Sequence, residues 1–325
     1  MNHMIEEILP DIYKLEIPIP NNPLQAVNSY VIKARERNLI IDTGMNLEEC
    51  RSAMHSYLKE LDVDLRKTDF FITHLHADHL GLVSNLAADT STIYFNKPDA
   101  DLINAGGHWD KTLKLFRMSG FPINVLQKAI EEHPGYRYSA KGPLEFTIVK
   151  EGGAITIGDY LFRGVETPGH TKGHMCLYEP DKKILIAGDH ILHDITPNIS
   201  QWFDKENPLK EYLASLDKVY ELDIELVLPG HRNIFRDCKG RIQELKHHHK
   251  ARADEVLYIL KKGGKDAYQT ASQMTWDMTY DSWELFPVIQ KMFATGEAIA
   301  HLSYLMGKGL IRREIRKQKI VFSLK

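Results

Sequence analysis

Cysteine is scarce: Cys50, Cys176 and Cys238 are the only three in 325 residues, odd in number and far apart. Such a set excludes a disulfide framework and a zinc site of paired cysteines, leaving reduced structural thiols as the expectation. No apolar run approaches the ~20 residues needed to cross a bilayer. The first ten residues also lack the basic start and apolar stretch of an export signal, so a cytoplasmic location is expected. Nor does one sign of charge dominate. The 41 Lys and Arg against 44 Asp and Glu give a net charge of −3, which by itself offers no reason to expect a nucleic-acid partner. What remains, with 43% hydrophobic and 26% charged residues, is the composition of a globular protein with a full core, long enough for one large domain and a smaller one. Charge is unevenly placed, however: residues 302–325 carry seven Lys or Arg against one acid.

Hydrophobic periodicity alternates between strand and helix. Strands are expected at 27–32, 38–41, 69–73, 154–157, 160–166, 174–178, 183–187 and 225–228. Helices are expected at 46–61, 79–88 and 208–220. Between 99 and 140 the pattern becomes helical pieces broken at Gly106-Gly107, Gly120, Pro122 and Pro134-Gly135, which predicts a helical insert. A long polar helix begins near Arg236, and helices followed by short strands at 310–313 and 320–322 predict a winged-helix-like end. The expected division is a catalytic domain over 1–240 and a helical, winged domain over 241–325.

The stretch Thr73-His74-Leu75-His76-Ala77-Asp78-His79 sets four metal-competent side chains within six residues, directly after a predicted strand. On a tightly curved loop, two imidazoles two residues apart can chelate one ion while the next Asp and His turn toward a second. A lone histidine is usually a satisfied or solvated residue; four donors this dense reverse that expectation. Three downstream segments repeat one design, a glycine turn at the end of an apolar run followed by Asp or His. They are Pro168-Gly169-His170, Gly188-Asp189-His190 and Pro229-Gly230-His231. Glycine lets the backbone turn so that a short side chain can point into a common pocket.

In this order the motifs resemble those of the metallo-β-lactamase superfamily over about residues 8–240. The resemblance implies an αββα sandwich with two divalent metals at one edge. His74, His76 and His170 would hold one ion, Asp78, His79 and His231 the other, and Asp189 would bridge them. Asp42, in Asp42-Thr43-Gly44, would orient a ligand from behind. The chemistry implied is hydrolysis by a hydroxide between the metals, with Asp78 accepting a hydrogen bond from the attacking water. Nitrogen and oxygen donors suit Zn²⁺, with Mn²⁺ or iron as alternatives. Asp189 stands where one group of β-lactamases has Cys, and Ala77 where flavin-linked di-iron reductases have Glu, which turns the expectation away from both. Groups similar to glyoxalase II, related thioesterases and the β-lactamase-like endoribonucleases remain, and the segment from Trp283 to Leu302 resembles the appended domain of that last subgroup.

A small ester or thioester is the expected substrate. Alternatives are endoribonuclease action on single-stranded RNA through the basic C-terminal segment, single-iron sulfur dioxygenation, and a non-catalytic binding role; a homodimer is also compatible with the chain. His190, His193, Asn198 and Trp202 follow Asp189 closely and are candidates to face substrate, with packing as the plainer reading for each. His174 is expected behind the ligands or in the core. Trp109, Phe116, Met118 and Phe121 fit an apolar lid or simple core packing. The triplet His247 to His249 lies on a helix, where neighbours point in different directions, and is expected on a solvated face.

Overall fold

The computed structural model describes residues 5–106, 109–142, 144–277 and 280–325. Gly107, one of the expected helix breaks, lies outside them. The chain divides into two compact units, the first comprising Met1–Gly107, Pro134–Pro197 and Lys218–Arg241.

The first unit is an α/β sandwich of two mixed sheets. One sheet runs in sequence order through β1 (Ile5–Leu9), β2 (Ile12–Pro18), β3 (Ala26–Ile32), β4 (Asn38–Ile41), β5 (Thr68–Phe71), β6 (Ile93–Asn96) and β7 (Thr147–Val149). Neighbours are antiparallel as far as β4 and parallel from β4 to β7. The second sheet contains β8 (Ala154–Ile157), β9 (Tyr160–Glu166), β10 (Met175–Glu179), β11 (Ile184–Gly188) and β12 (Leu226–Pro229), in the spatial order β12-β11-β10-β9-β8. Local sequence explains the strand types. β4 (NLII) and β12 (LVLP) are buried at every position, as parallel strands covered on both faces must be, whereas edge strand β8 alternates exposed and buried residues.

The sheets face each other across one core, where Tyr30, Ile32, Ile41 and Phe71 meet Phe162, Met175, Leu177 and Leu228. On the other face of the seven-stranded sheet lies the helix Glu48–Glu60, which buries Cys50, Met54, Tyr57 and Leu58 in the cluster that contains Val31, Ile40 and Phe70. That spacing is one helical stripe, and burial of each large apolar side chain on it contributes roughly 1.5–3 kcal/mol. The helix starts at Glu48 rather than 46, and the single helix expected over 79–88 is instead two short ones, Ala77–Leu80 and Val83–Leu86. Four strands had no counterpart in the periodicity: β1, β2, β6 and β7. β1 carries two glutamates in five residues, and β2 ends in proline, so neither reads as a regular apolar run.

The second unit comprises His108–His133, Asn198–Asp217 and Ile242–Lys325. It contains the helices Trp109–Met118, Ile123–Glu132, Ala267–Ala271 and Val288–Gly307, most of the helix Cys238–Leu260, and an antiparallel hairpin of β13 (Ile311–Arg316) and β14 (Lys319–Leu324). The hairpin turns on Lys317 and Gln318, both left-handed, the geometry of a two-residue turn matched to strand twist. The helical pieces at 109–132 thus differ from the expected insert of the first domain: they belong to the second unit. Leu115 packs with Val256, Ile299 and Leu302, and Phe116, Leu126 and Ile130 pack with Met292. Periodicity identified their apolar faces but carries no record of what those faces touch. Phe116 and Phe121 are buried there, as core packing requires.

His249 corrects a further expectation. It is buried, with Nδ1 3.4 Å from His301 Nε2 and its ring against Tyr212. Among the described residues no helix is long and apolar enough to cross a membrane.

Candidate metal centre

Each candidate ligand lies just beyond the carboxyl end of a strand. His74, His76, Asp78 and His79 follow β5; His170 follows β9; Asp189 follows β11; His231 follows β12. Asp42 follows β4, which is parallel to β5. Because β9, β11 and β12 run in one direction, their ends deliver side chains to the same edge of the sheet. The turn at Gly230 is tied to the opposite sheet. Asn28 Nδ2 and the Tyr30 hydroxyl both donate to the Pro229 carbonyl, at 2.9 and 2.8 Å, and the Asn28 amide donates to the Gly230 carbonyl.

Two buried groups result. One is His74, His76, His170 and Asp189; the other is Asp78, His79 and His231, with potential donor atoms within 4.8 Å of one another in each. In the first, His76 Nδ1 lies 3.0 Å from His74 Nε2 and 3.0 Å from His170 Nε2. In the second, Asp78 Oδ2 lies 3.8 Å from His79 Nε2 and 3.4 Å from His231 Nε2. Asp189 faces both, since its oxygens lie 3.5 Å from His170, His79 and His231. Gly230 is required for this approach, because a Cβ there would lie 2.4 Å from Asp189 Oδ1 and 2.8 Å from the His79 ring.

The outward nitrogens of three imidazoles are held by acceptors, which assigns the proton on each ring. His79 Nδ1 lies 2.7 Å from Asp42 Oδ2, and His231 Nδ1 lies 2.7 Å from the Ala26 carbonyl. The Thr73 hydroxyl donates its one proton to Asp42 Oδ2 at 2.8 Å, so it accepts from His74 Nδ1 at 2.9 Å. Each ring thus carries its fixed proton on Nδ1 and turns Nε2 inward, the atom left to ligate a metal. Asp42 itself is left-handed at φ 56°, a conformation Asp tolerates better than most side chains.

The donors fit a pair of cations. His74 Nε2, His76 Nδ1 and His170 Nε2 converge, and a single proton on His76 Nδ1 could not serve both neighbours. His79 Nε2, His231 Nε2 and Asp189 Oδ1 are buried and lack a hydrogen bond, at separations that suit donors around a shared ion. The charges agree. Burial and the neighbouring imidazoles hold His74 well below its usual value and His76 down at about 3, so both stay neutral donors. Burial opposes ionisation of Asp189 and Asp78, but His231 and His79 outweigh it and keep both carboxyls below the ordinary range. The acids in turn raise His79 and His231 against burial, the latter to about 10, so each of these two rings holds a second proton that a bound cation would displace.

The other candidates lie outside these groups. His190 is buried, its ring 6.0 Å from that of His174. His193 is half exposed and bonds Asp194 at 2.9 Å. Asn198 and Trp202 lie in the second unit, where Asn198 Nδ2 donates to Glu297 and Trp202 stacks on Phe116. His174 stands behind a ligand, accepting the Asp189 amide on Nε2 at 3.1 Å while Nδ1 meets the Thr167 hydroxyl at 2.7 Å. Asp99 escaped the sequence reading altogether. It sits in the first turn of the helix Lys97–Asn104, where an acid ordinarily reads as a complement to the helix dipole, yet its side chain is buried among the loops that carry the histidines.

The sequence profile of the Metallo-beta-lactamase superfamily matches residues 22–231, and that of the Metallo-beta-lactamase-like, C-terminal domain matches residues 284–323. A Bacillus subtilis protein named probable metallo-hydrolase YqjP is 26% identical over 308 residues, covering 91% of this chain and 92% of its own length. The human acyl-coenzyme A thioesterase MBLAC2 is 24% identical over 222 residues, 64% of this chain and 74% of its own. A crystal structure of a metallo-beta-lactamase family protein from Thermus thermophilus superposes with a TM-score of 0.83 at 26% identity, covering 98% of this chain and 100% of that one. With the profile spanning most of the chain and two buried His/Asp groups in the sandwich, the protein belongs to the metallo-beta-lactamase superfamily and is a metallo-hydrolase of that family.

Proposed function

We propose that the protein hydrolyses a small ester or thioester at a dinuclear centre, most simply of zinc. The observation that carries this reading is the position of Asp189, whose carboxylate lies 3.5 Å from ligand nitrogens of both groups. A single acid facing two sets of donors is what a pair of adjacent cations requires. When bound, two divalent ions supply Lewis-acid polarisation of the carbonyl and a water nucleophile that ionises near neutral pH. His74, His76 and His170 would hold one ion, Asp78, His79 and His231 the other, with Asp189 between them. Asp42, Thr73 and the Ala26 carbonyl keep the imidazoles in the ligating tautomer. Asp78, held ionised, takes a hydrogen bond from the attacking water, receives its proton as the acyl carbon gains oxygen, and returns that proton to the departing alkoxide or thiolate as the carbon–leaving-group bond breaks.

Similarity to the human acyl-coenzyme A thioesterase supports the thioester class. The basic hairpin lends less support to RNA, because four of its five cations already pair with acids. Arg313 pairs with Asp204 at 2.7 Å, Arg316 and Arg312 with Glu314 at 3.0 and 3.3 Å, and Lys319 with Asp266 at 3.6 Å. The test is elemental analysis followed by turnover of acyl-coenzyme A thioesters, simple esters, lactones and single-stranded RNA with the same sample. Two metal ions per chain and hydrolysis of a thioester or ester are expected; metal-loaded protein inert on all of those small substrates would refute the reading.

A further inference from the structure

Asp99 is a buried carboxylate outside both metal groups that, unlike Asp42, bonds both of the loops that carry the histidines of the first group. Its Oδ2 accepts the Leu75 amide at 3.0 Å and the Thr171 hydroxyl at 2.7 Å, and its Oδ1 accepts the Gly173 amide at 2.7 Å. Leu75 lies between His74 and His76, and Thr171 is next to His170. The three bonds therefore join the loop after β5 of one sheet to the loop after β9 of the other. We propose that Asp99 is a positioning residue for the first metal group, a latch that sets the separation between the His74/His76 loop and the His170 loop. The inference rests on the dinuclear reading of the site.

Several observations support a built latch rather than a chance contact. The Asp99 side chain is completely buried, and among the described residues no cation pairs with it. Its partners are three directed donors, which fix geometry more tightly than a mobile lysine would. Gly173 comes so close that a Cβ there would lie 2.6 Å from the Asp99 amide and 2.7 Å from its carboxyl carbon, so only glycine allows the approach. The chain that supplies Asp99 is itself anchored, because β6 pairs in parallel with β5 and ends three residues before it. Both loops are thus referred to one rigid point. The second group receives nothing comparable from Asp99: Asp78, His79 and His231 are held through Asp42, Ala26 and the Pro229 turn.

This asymmetry sets the test. The full chain is prepared as His231→Ala, which leaves the first group, and as His170→Ala, which leaves the second, each with and without Asp99→Asn. Asparagine keeps the size of aspartate but retains only one accepting oxygen for three donors. Zn²⁺ affinity is read by competition with a chromophoric chelator, and Co²⁺ by its visible absorption. Asp99→Asn is expected to weaken the first group by about 10- to 100-fold and to alter its Co²⁺ bands, while the second group stays within about threefold. Asp99→Glu, which keeps both oxygens, should recover part of the loss. Equal weakening of both groups, or an unchanged first group, overturns the latch while leaving the metal site intact. A wild-type protein that takes up neither ion overturns the dinuclear reading and the latch together.

Discussion

Asp42 Oδ2 lies 2.7 Å from His79 Nδ1, and the same carboxylate receives the Thr73 hydroxyl and, on Oδ1, the Thr73 amide. One side chain, bonded to the residue next to His74 and to His79 itself, thus orients a ligand in each group. Asp42→Asn is the informative substitution, because Asn also tolerates the left-handed backbone. Its amide placed against His79 would donate to Nδ1 and move the ring proton to Nε2, where it blocks ligation. Metal affinity should fall about 10- to 100-fold by chelator competition. An affinity within about twofold of wild type would refute this role.

Gly230→Ala tests close approach. The added Cβ would meet Asp189 Oδ1 and the His79 ring well inside contact distance. Displacing either side chain moves a donor of the centre while leaving the sheets in place. We expect at least about tenfold lower metal affinity with an unchanged far-ultraviolet dichroism spectrum. Normal metal uptake by this variant would show that the turn has more room than the geometry allows.

Metal should stabilise the first unit by mass action, since the donors are brought together only in the folded chain. Free Zn²⁺ at about 100 times its dissociation constant adds about 3 kcal/mol. Removing it with a chelator should lower the melting temperature, and restoring it should recover the loss. A melting temperature indifferent to both treatments would contradict a folded-state metal site.

Glu297 provides a prediction for pH. Burial pushes its carboxyl up to about 7, against the opposing influence of Arg252, 3.7 Å away, and of Asn198, which donates to it at 3.0 Å. His301 bonds the Glu297 carbonyl and lies beside His249; burial holds both imidazoles low, His301 at about 4. A folded value above the unfolded one means that the native state binds the proton more tightly. Its stabilising contribution is therefore complete below the unfolded value of ~4.5 and is lost as pH rises through about 7, an effect of order 3 kcal/mol. Glu297→Gln should flatten this part of the pH profile of the urea midpoint. A wild-type midpoint that rises between pH 5 and 7 through a component that vanishes in Glu297→Gln would reverse the sign and refute the assignment.

How far the site was legible in the sequence depends on how local each feature is. His74, His76, Asp78 and His79 announce themselves, because chelation by near neighbours leaves a short dense pattern. His170, Asp189 and His231 were readable through the glycine turns beside them, since the backbone must bend sharply wherever a strand end delivers a short side chain to a shared point. The order of those motifs then implied the sandwich. Asp99 could not be read: one acid in the first turn of a helix has an ordinary local explanation, and its partners Leu75, Thr171 and Gly173 lie up to 74 residues away. His249 looked like one of three solvated histidines until His301, 52 residues on, proved to lie against it.

Which residues can donate to a metal, where the chain turns and which faces are apolar follow from side-chain chemistry and local backbone preference, and are readable along the chain. What those faces meet is a property of the folded chain. Folding places the helices at 109–132 with the C-terminal helices and hairpin, draws Asp189 to within 3.5 Å of both donor groups, and sets Asp42 behind His79. Contacts of this kind arise from packing between segments distant in the chain, and no period or spacing along a sequence encodes the distance between two strand ends in different sheets.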